Sequence, residues 1–146
     1  MDNNDKHTVE LLRECSSGCQ MAQDSVKQVR QYTKGEKLND LLEAYGEKHT
    51  GIEKDIARML GEYGGEEKNP GMMAEMGAKM GTWMKMTLHP DDQEVAKLMM
   101  DGCNMGIQSV SEYVNKYPDA DERAHDLAKQ IIKIEEDFMQ EMKGFV

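Results

Sequence analysis

Five residues with metal-ligating or nucleophilic side chains stand at matched places in this chain: Cys15, Cys19, His49, Cys103 and Glu135. The stretch "SGCQMAQDSV" at 17–26 is echoed by "DGCNMGIQSV" at 101–110, so two of the three cysteines occupy the same place in a repeated motif. Two thiolates, an imidazole and a carboxylate complete a tetrahedral shell for zinc or hold iron. Cys15, four residues before Cys19, adds a sulfur on the same helix face. With Met99 and Met105 nearby, the softer donor set suits cuprous copper. A metal-free reading stands beside this one. Cysteine is often a small buried hydrophobe, and Gly18, Ala22, Gly102 and Gly106 would let two helix backbones approach closely. His49 would then be a core histidine bonded to Glu135. A carboxylate buried alone is costly, so Glu135 needs a positive partner or a proton. A seam using Ile134 instead would turn it toward solvent.

Apolar residues spaced by three and four predict four helices to position these groups. The first, about 7–33, has the seam Leu12, Cys15, Cys19, Ala22, Val26, Val29, Thr33, and Lys34-Gly35 reads as a break with a helix-ending glycine. The second, about 36–62, has Leu38, Leu42, Tyr45, His49, Ile52, Ile56, Met59, Tyr63. The third, about 91–116, follows His89-Pro90 and opens with Asp91 and Asp92, suited to the positive end of a helix. Its seam is Met99, Cys103, Gly106, Val110, Tyr113, Tyr117. After Pro118, Asp119 and Glu122 resemble a capping box for the fourth, whose seam is Ala124, Ala128, Ile131, Glu135, Phe138, Met142, Phe145. A constant offset carries the first seam onto the third, and another carries the second onto the fourth.

The chain thus reads as one domain, 1–146, of two similar hairpins, 7–63 and 91–146. A crossover at 64–90 joins them and is long enough to run the length of a bundle. Within it "GMMAEMGAKMGTWMKM" predicts a short helix with a methionine stripe, Met73, Met76, Met80 and Met84, beside Trp83. That stripe suits packing on the bundle, a partner's apolar surface or copper. Cys19 and His49 each lie about 15 residues from the first turn, some ~23 Å along their helices. Cys103 and Glu135 stand at a similar distance from the second turn. All four are expected in one mid-bundle layer, with Cys15 one turn away.

Composition narrows the classes. Three prolines and 5% aromatic residues favour helices over sheet. A formal charge of −10 argues against nucleic-acid binding. No apolar run is long enough to span a bilayer, and the polar, acidic start "MDNNDKHTVE" is unlike a secretory signal. An odd number of cysteines without framework spacing points to reduced thiols in the cytoplasm. Glu122 and His125 match Glu-x-x-His but fall in a first turn, where Glu122 reads as a cap. His7 and His89 read as exposed terminal and loop residues.

The paired hairpins, the long crossover and the glycine–ligand–small-residue pattern resemble the ferritin-like superfamily. The tract "MGAKMGTWMKMTLHPDDQEVAKLMMDGCN" is similar to the bacterial four-helix-bundle family called domain of unknown function 2383. The resemblance implies an all-α ferritin-like bundle, commonly paired as a homodimer or higher oligomer. In ferritin-like proteins four helices supply carboxylates and Glu-x-x-His motifs to two irons. Here Cys19 and Cys103 stand where lone glutamates would be, the second helix offers Gly46 and His49, and the fourth Ile132 and Glu135. The reading that follows is a small non-enzymatic binding protein holding one transition metal at this layer. The alternatives are a metal-free interaction bundle and a ferritin-like redox enzyme.

Overall fold

The structure, a computed structural model, describes residues 2–66 and 90–146. The methionine stripe, Trp83 and His89 lie outside them. Four helices follow one another: α1 (Asn3–Arg30), α2 (Glu36–Glu62), α3 (Asp92–Lys116) and α4 (Glu122–Met142), with a 3-10 turn at Lys143–Phe145. Short turns make α1 and α2, and α3 and α4, antiparallel neighbours. The hairpins meet through α1 against α3 and α4, and α2 against α4. The result is an all-α four-helix bundle, with no strand among the described residues.

The seams are buried as their spacing predicts, with Thr33, Tyr63, Gly106, Tyr113, Tyr117 and Phe145 half-buried at ends and edges. Burial gathers into two apolar clusters. One, toward the start of α1 and the end of α2, contains Leu12, Cys15, Cys19, Ile56, Ala124 and Ile131. The other, toward the α1–α2 turn, contains Val29, Leu42, Tyr45, Met99, Cys103 and Phe138.

Helix ends depart from the sequence expectation in instructive ways. The first helix begins at Asn3 because Asp2 accepts from the Asp5 N–H at 2.8 Å, satisfying an otherwise orphaned donor. Gly35 does not end a helix in the left-handed region; with φ −76° and ψ 134° it precedes α2 as its N-cap. Its lack of a side chain matters for another reason. Asp92, from the first turn of α3, accepts from the N–H groups of Lys34 and Gly35 at 2.7 and 2.8 Å. A Cβ on Gly35 would stand 2.6 Å from Asp92 Oδ2. The expected capping box at Asp119 and Glu122 is replaced by Asp121, which accepts from the Arg123 N–H. Asp119 instead pairs with His7 at 2.6 Å, whose ring rests against Tyr117.

Asp121 also accepts from the Tyr63 hydroxyl at 2.5 Å, and its own N–H donates to Thr8 Oγ1 at 2.8 Å. Hydrogen bonds from Arg123 and then Tyr63 hold its carboxyl down to about 2. The depressed value means its contribution is fully present above the unfolded aspartate range near ~3.9 and is lost as pH falls toward 2. Acid unfolding of Asp121→Asn should therefore lack part of the loss seen in the parent between about pH 4 and 2, measured by circular dichroism.

Gly18 and Gly102 are not points of close approach between the described helices. Among the described residues, a Cβ at Gly18 or Gly102 meets nothing within 4 Å, and one at Gly106 meets Glu135 only at an ordinary 3.6 Å. The small-residue packing expected of the motif is thus not what Gly18 and Gly102 provide. Gly18→Ala and Gly102→Ala should each raise unfolding stability by about 0.5–1 kcal/mol, because alanine loses less backbone entropy in a helix interior; urea titration tests this.

Candidate functional site

The bundle's buried polar residues include one group at the boundary between the two apolar clusters. On α2, Tyr45 and His49 lie one turn apart and face inward; from α4, Glu135 reaches them, and Cys103 on α3 closes the side. His49 is wholly buried and Glu135 is 4% exposed. Glu135 therefore follows the predicted inward seam, and Ile134 is the half-buried neighbour.

Tyr45 is the centre of the arrangement. Its hydroxyl donates to Glu135 across both carboxyl oxygens, at 2.8 and 2.9 Å. The Cys103 thiol lies 3.8 Å from the same hydroxyl oxygen. Its ring stacks on Phe138 at 4.2 Å between centroids and tilts against His49 at 4.4 Å. The Tyr45 backbone carbonyl takes the fourth role: His49 Nδ1 lies 2.8 Å from it. A carbonyl oxygen only accepts, so Nδ1 carries hydrogen and Nε2 is turned toward Glu135 Oε1, 2.6 Å away. Sequence spacing put Tyr45 on the seam but gave it no part in the site. The available signal was its position one turn before a polar seam residue, since a buried phenol needs a hydrogen-bond partner.

The surroundings set the acidities. Burial first, then the negative charges of Glu135 and Cys103, push the Tyr45 phenol well above its usual range. The Cys103 thiol is also pushed up, by burial, then by the charge of Glu135 and a hydrogen bond with it; its bond with Tyr45 opposes this. Burial, with a smaller contribution from Glu14, raises Cys15 to about 12. In the absence of an ion, burial thus favours the protonated form of both thiols.

Of the predicted layer, His49, Glu135 and Cys103 come together around Tyr45. Cys19 and Cys15 pack in the cluster toward the start of α1, and Cys103 in the other. No group of three or more His, Cys, Asp or Glu side chains among the described residues is gathered as a metal shell would need. Two donors bound to one zinc at ~2.0–2.1 Å stand about 3.3 Å apart. The 2.6 Å separation of His49 and Glu135 is too short to admit the ion. In this arrangement the residues do not fit a metal. The Glu-x-x-His pair is likewise not a site: Glu122 lies in the first turn of α4, and His125 Nε2 approaches the Tyr117 carbonyl at 3.0 Å.

Among the described residues, the cavity that adjoins the network is small. The cavity beside Tyr45, lined by Leu41, Ala44, Lys48, Ile134 and Phe138, measures about 30 Å³, room for water rather than for a substrate. A larger groove of about 400 Å³, between α2 and α4, has Met59 and Leu127 on its floor and Arg58, Glu62 and Arg123 at its rim.

Fold and site together define a four-helix bundle with a self-contained polar layer in its core. The crystal structure of Dps92 from Deinococcus radiodurans shares this fold, with a TM-score of 0.79 at 17% identity over 99% of this chain and 88% of that one. A DUF305 fragment from Deinococcus radiodurans matches with a TM-score of 0.70 at 16% identity, over 94% and 93% of the two chains. No family model and no curated protein matches the chain.

Two outcomes follow from this geometry. All three thiols are buried, so a thiol-specific disulfide reagent at pH 8 should label them only as the protein unfolds. Tyr45→Phe removes the hydroxyl that covers both oxygens of a buried carboxyl and should lower stability by about 1.5–3 kcal/mol, read from denaturant midpoints.

Proposed function

We propose that this chain is a non-catalytic bundle protein of the cytoplasm that acts by binding a partner through its surface, most simply another copy of itself and then a further protein. The mid-bundle layer serves structure rather than a resident cofactor. The observation that carries this reading is the closure of the layer. Its acceptors and donors are spent on one another: Tyr45 bridges both oxygens of Glu135, and His49 contacts Oε1 at 2.6 Å. The adjoining cavity, about 30 Å³, is the size of a water molecule rather than of a substrate. Its thiols are held protonated by burial. A redox enzyme of ferritin-like type would draw on several carboxylates converging on iron, and the corresponding positions here carry cysteine, histidine and a single glutamate.

One observation favours a metal-holding reading as the rival. His49 Nδ1 is tied to a backbone carbonyl at 2.8 Å, the outer bond that commonly orients a ligating imidazole. An ion at Nε2 with Glu135, Cys103 and Cys19 would require His49 and Glu135 to separate and the thiols to lose their protons. Zinc, iron and cuprous copper are the candidates for that state.

Elemental analysis of protein purified without a histidine tag separates the two. The expected result is far less than one transition metal per chain, with no oxygen or peroxide consumption on adding ferrous iron. One retained equivalent, lost in His49→Ala, would replace the structural reading with the metal-holding one.

A further inference from the structure

We infer that the mid-bundle layer is a proton site: His49 and Glu135 hold a single proton between them, and this proton occupies the place that a metal ion would otherwise take. The inference rests on the metal-free reading above and specifies what makes it possible.

The hydrogens follow from the contacts. His49 Nδ1 spends its hydrogen on the Tyr45 carbonyl at 2.8 Å. The single hydrogen of the Tyr45 hydroxyl is directed at the carboxyl of Glu135, at 2.8 and 2.9 Å. The Cys103 thiol hydrogen is spent on the Tyr45 oxygen, 3.8 Å away, or on the Glu135 carboxyl that it also meets. None of these is available to the remaining contact, Nε2 to Oε1 at 2.6 Å. Two bare lone pairs that close would repel, and the separation is that of a charge-assisted hydrogen bond. One hydrogen therefore lies between them. Drawn as imidazolium and carboxylate, or as imidazole and carboxylic acid, the content is the same: one proton, and no net charge in a dry layer. This meets the demand that a buried carboxyl be neutralised.

The site also spans the two hairpins, since His49 belongs to α2 and Glu135 to α4. The proton thereby becomes a cross-link between halves of the bundle, beside the Tyr45–Glu135 hydrogen bonds that join them at the same height. Glutamine at 135 can keep this link without the extra proton. Its amide N–H would donate to a neutral His49 Nε2, and its carbonyl would accept from Tyr45.

The test uses the full chain, metal-free by elemental analysis. Proton NMR of the native protein should show one far-downfield, slowly exchanging resonance, correlated with the His49 ring and absent from Glu135→Gln. Thermal unfolding should place Glu135→Gln within a few degrees of the parent. His49→Ala, which strands the carboxyl, should fall by about 10 °C. The double variant His49→Ala/Glu135→Gln should recover most of that loss. If His49→Ala does not fold, the resonance and the Glu135→Gln midpoint decide alone. A metal-free protein without the resonance, or a Glu135→Gln variant as damaged as His49→Ala, overturns the proton assignment and leaves the metal-free reading standing. Stoichiometric metal in the native protein overturns both.

Discussion

A carboxyl group in the middle of a helical bundle must be paid for by its neighbours, and the placement of Glu135 organises much of what surrounds it. Its 4% exposure removes it from bulk water, so it needs donors close at hand. Tyr45 and His49 supply them from a single turn of α2. The Tyr45 ring can serve only if it is held, and Phe138, one turn beyond Glu135 on α4, stacks against it at 4.2 Å. The same Tyr45 turn fixes the His49 tautomer through its carbonyl. One polar group on α4 thus dictates the identities of two residues on α2 and the conformation of a third group on its backbone.

Apolar seams are forgiving about register. Leucine, valine and isoleucine pack nearly as well when one helix slides along another, because burial is non-directional. Polar contacts are not forgiving, and this bundle has cross-hairpin ones at three heights. Asp92 of α3 accepts from the backbone of the α1–α2 turn at one end. Glu135 meets α2 in the middle. At the other end Asp121 meets Tyr63 of α2 and Thr8 of α1. Each pins the second hairpin against the first, and sliding by one turn would break all three.

Helix periodicity made the bundle and its buried faces legible in the sequence, since a strip of apolar residues at three- and four-residue spacing has few other uses. It also placed His49 and Glu135 at one height, and the alternative of a histidine bonded to that glutamate is the contact observed. What spacing did not disclose were long-range contacts with no local signature. Gly35 looked like a helix terminator and proves to make room for Asp92. Asp119 looked like a cap and proves to bind His7, far away in the chain. Tyr45 is legible only as a seam residue, because periodicity marks which side a residue faces and says nothing of which polar atom it will meet. Gly18 and Gly102 suggest close helix contact because they are small residues beside the cysteines, yet a side chain at either would find open space among the described residues.

The two partners of the central pair are equivalent positions. The offset that carries the second seam onto the fourth carries His49 onto Glu135, Ile52 onto Phe138 and Ile56 onto Met142. In a bundle built from two like hairpins, α2 and α4 face each other, and a residue near the middle of that contact meets its own counterpart. Identical residues there would place two carboxyls, or two imidazoles, at one point in the core, where like charges cannot both ionise. An acid opposite a base removes the conflict and shares its proton instead. Among the described residues, the neighbouring layers hold no second acid–base pair: Ile52 and Ile131 fall in one apolar cluster, and Tyr45 stacks on Phe138 in the other. The cysteines carry the divergence further. Cys19 and Cys103 occupy equivalent places in the repeated motif; Cys19 packs in the cluster toward the start of α1, and Cys103 lies against the phenol that serves Glu135. The repeat supplies two copies of one scaffold, and the acid–base pair at its centre is a place where the copies differ and the difference neutralises a buried carboxyl.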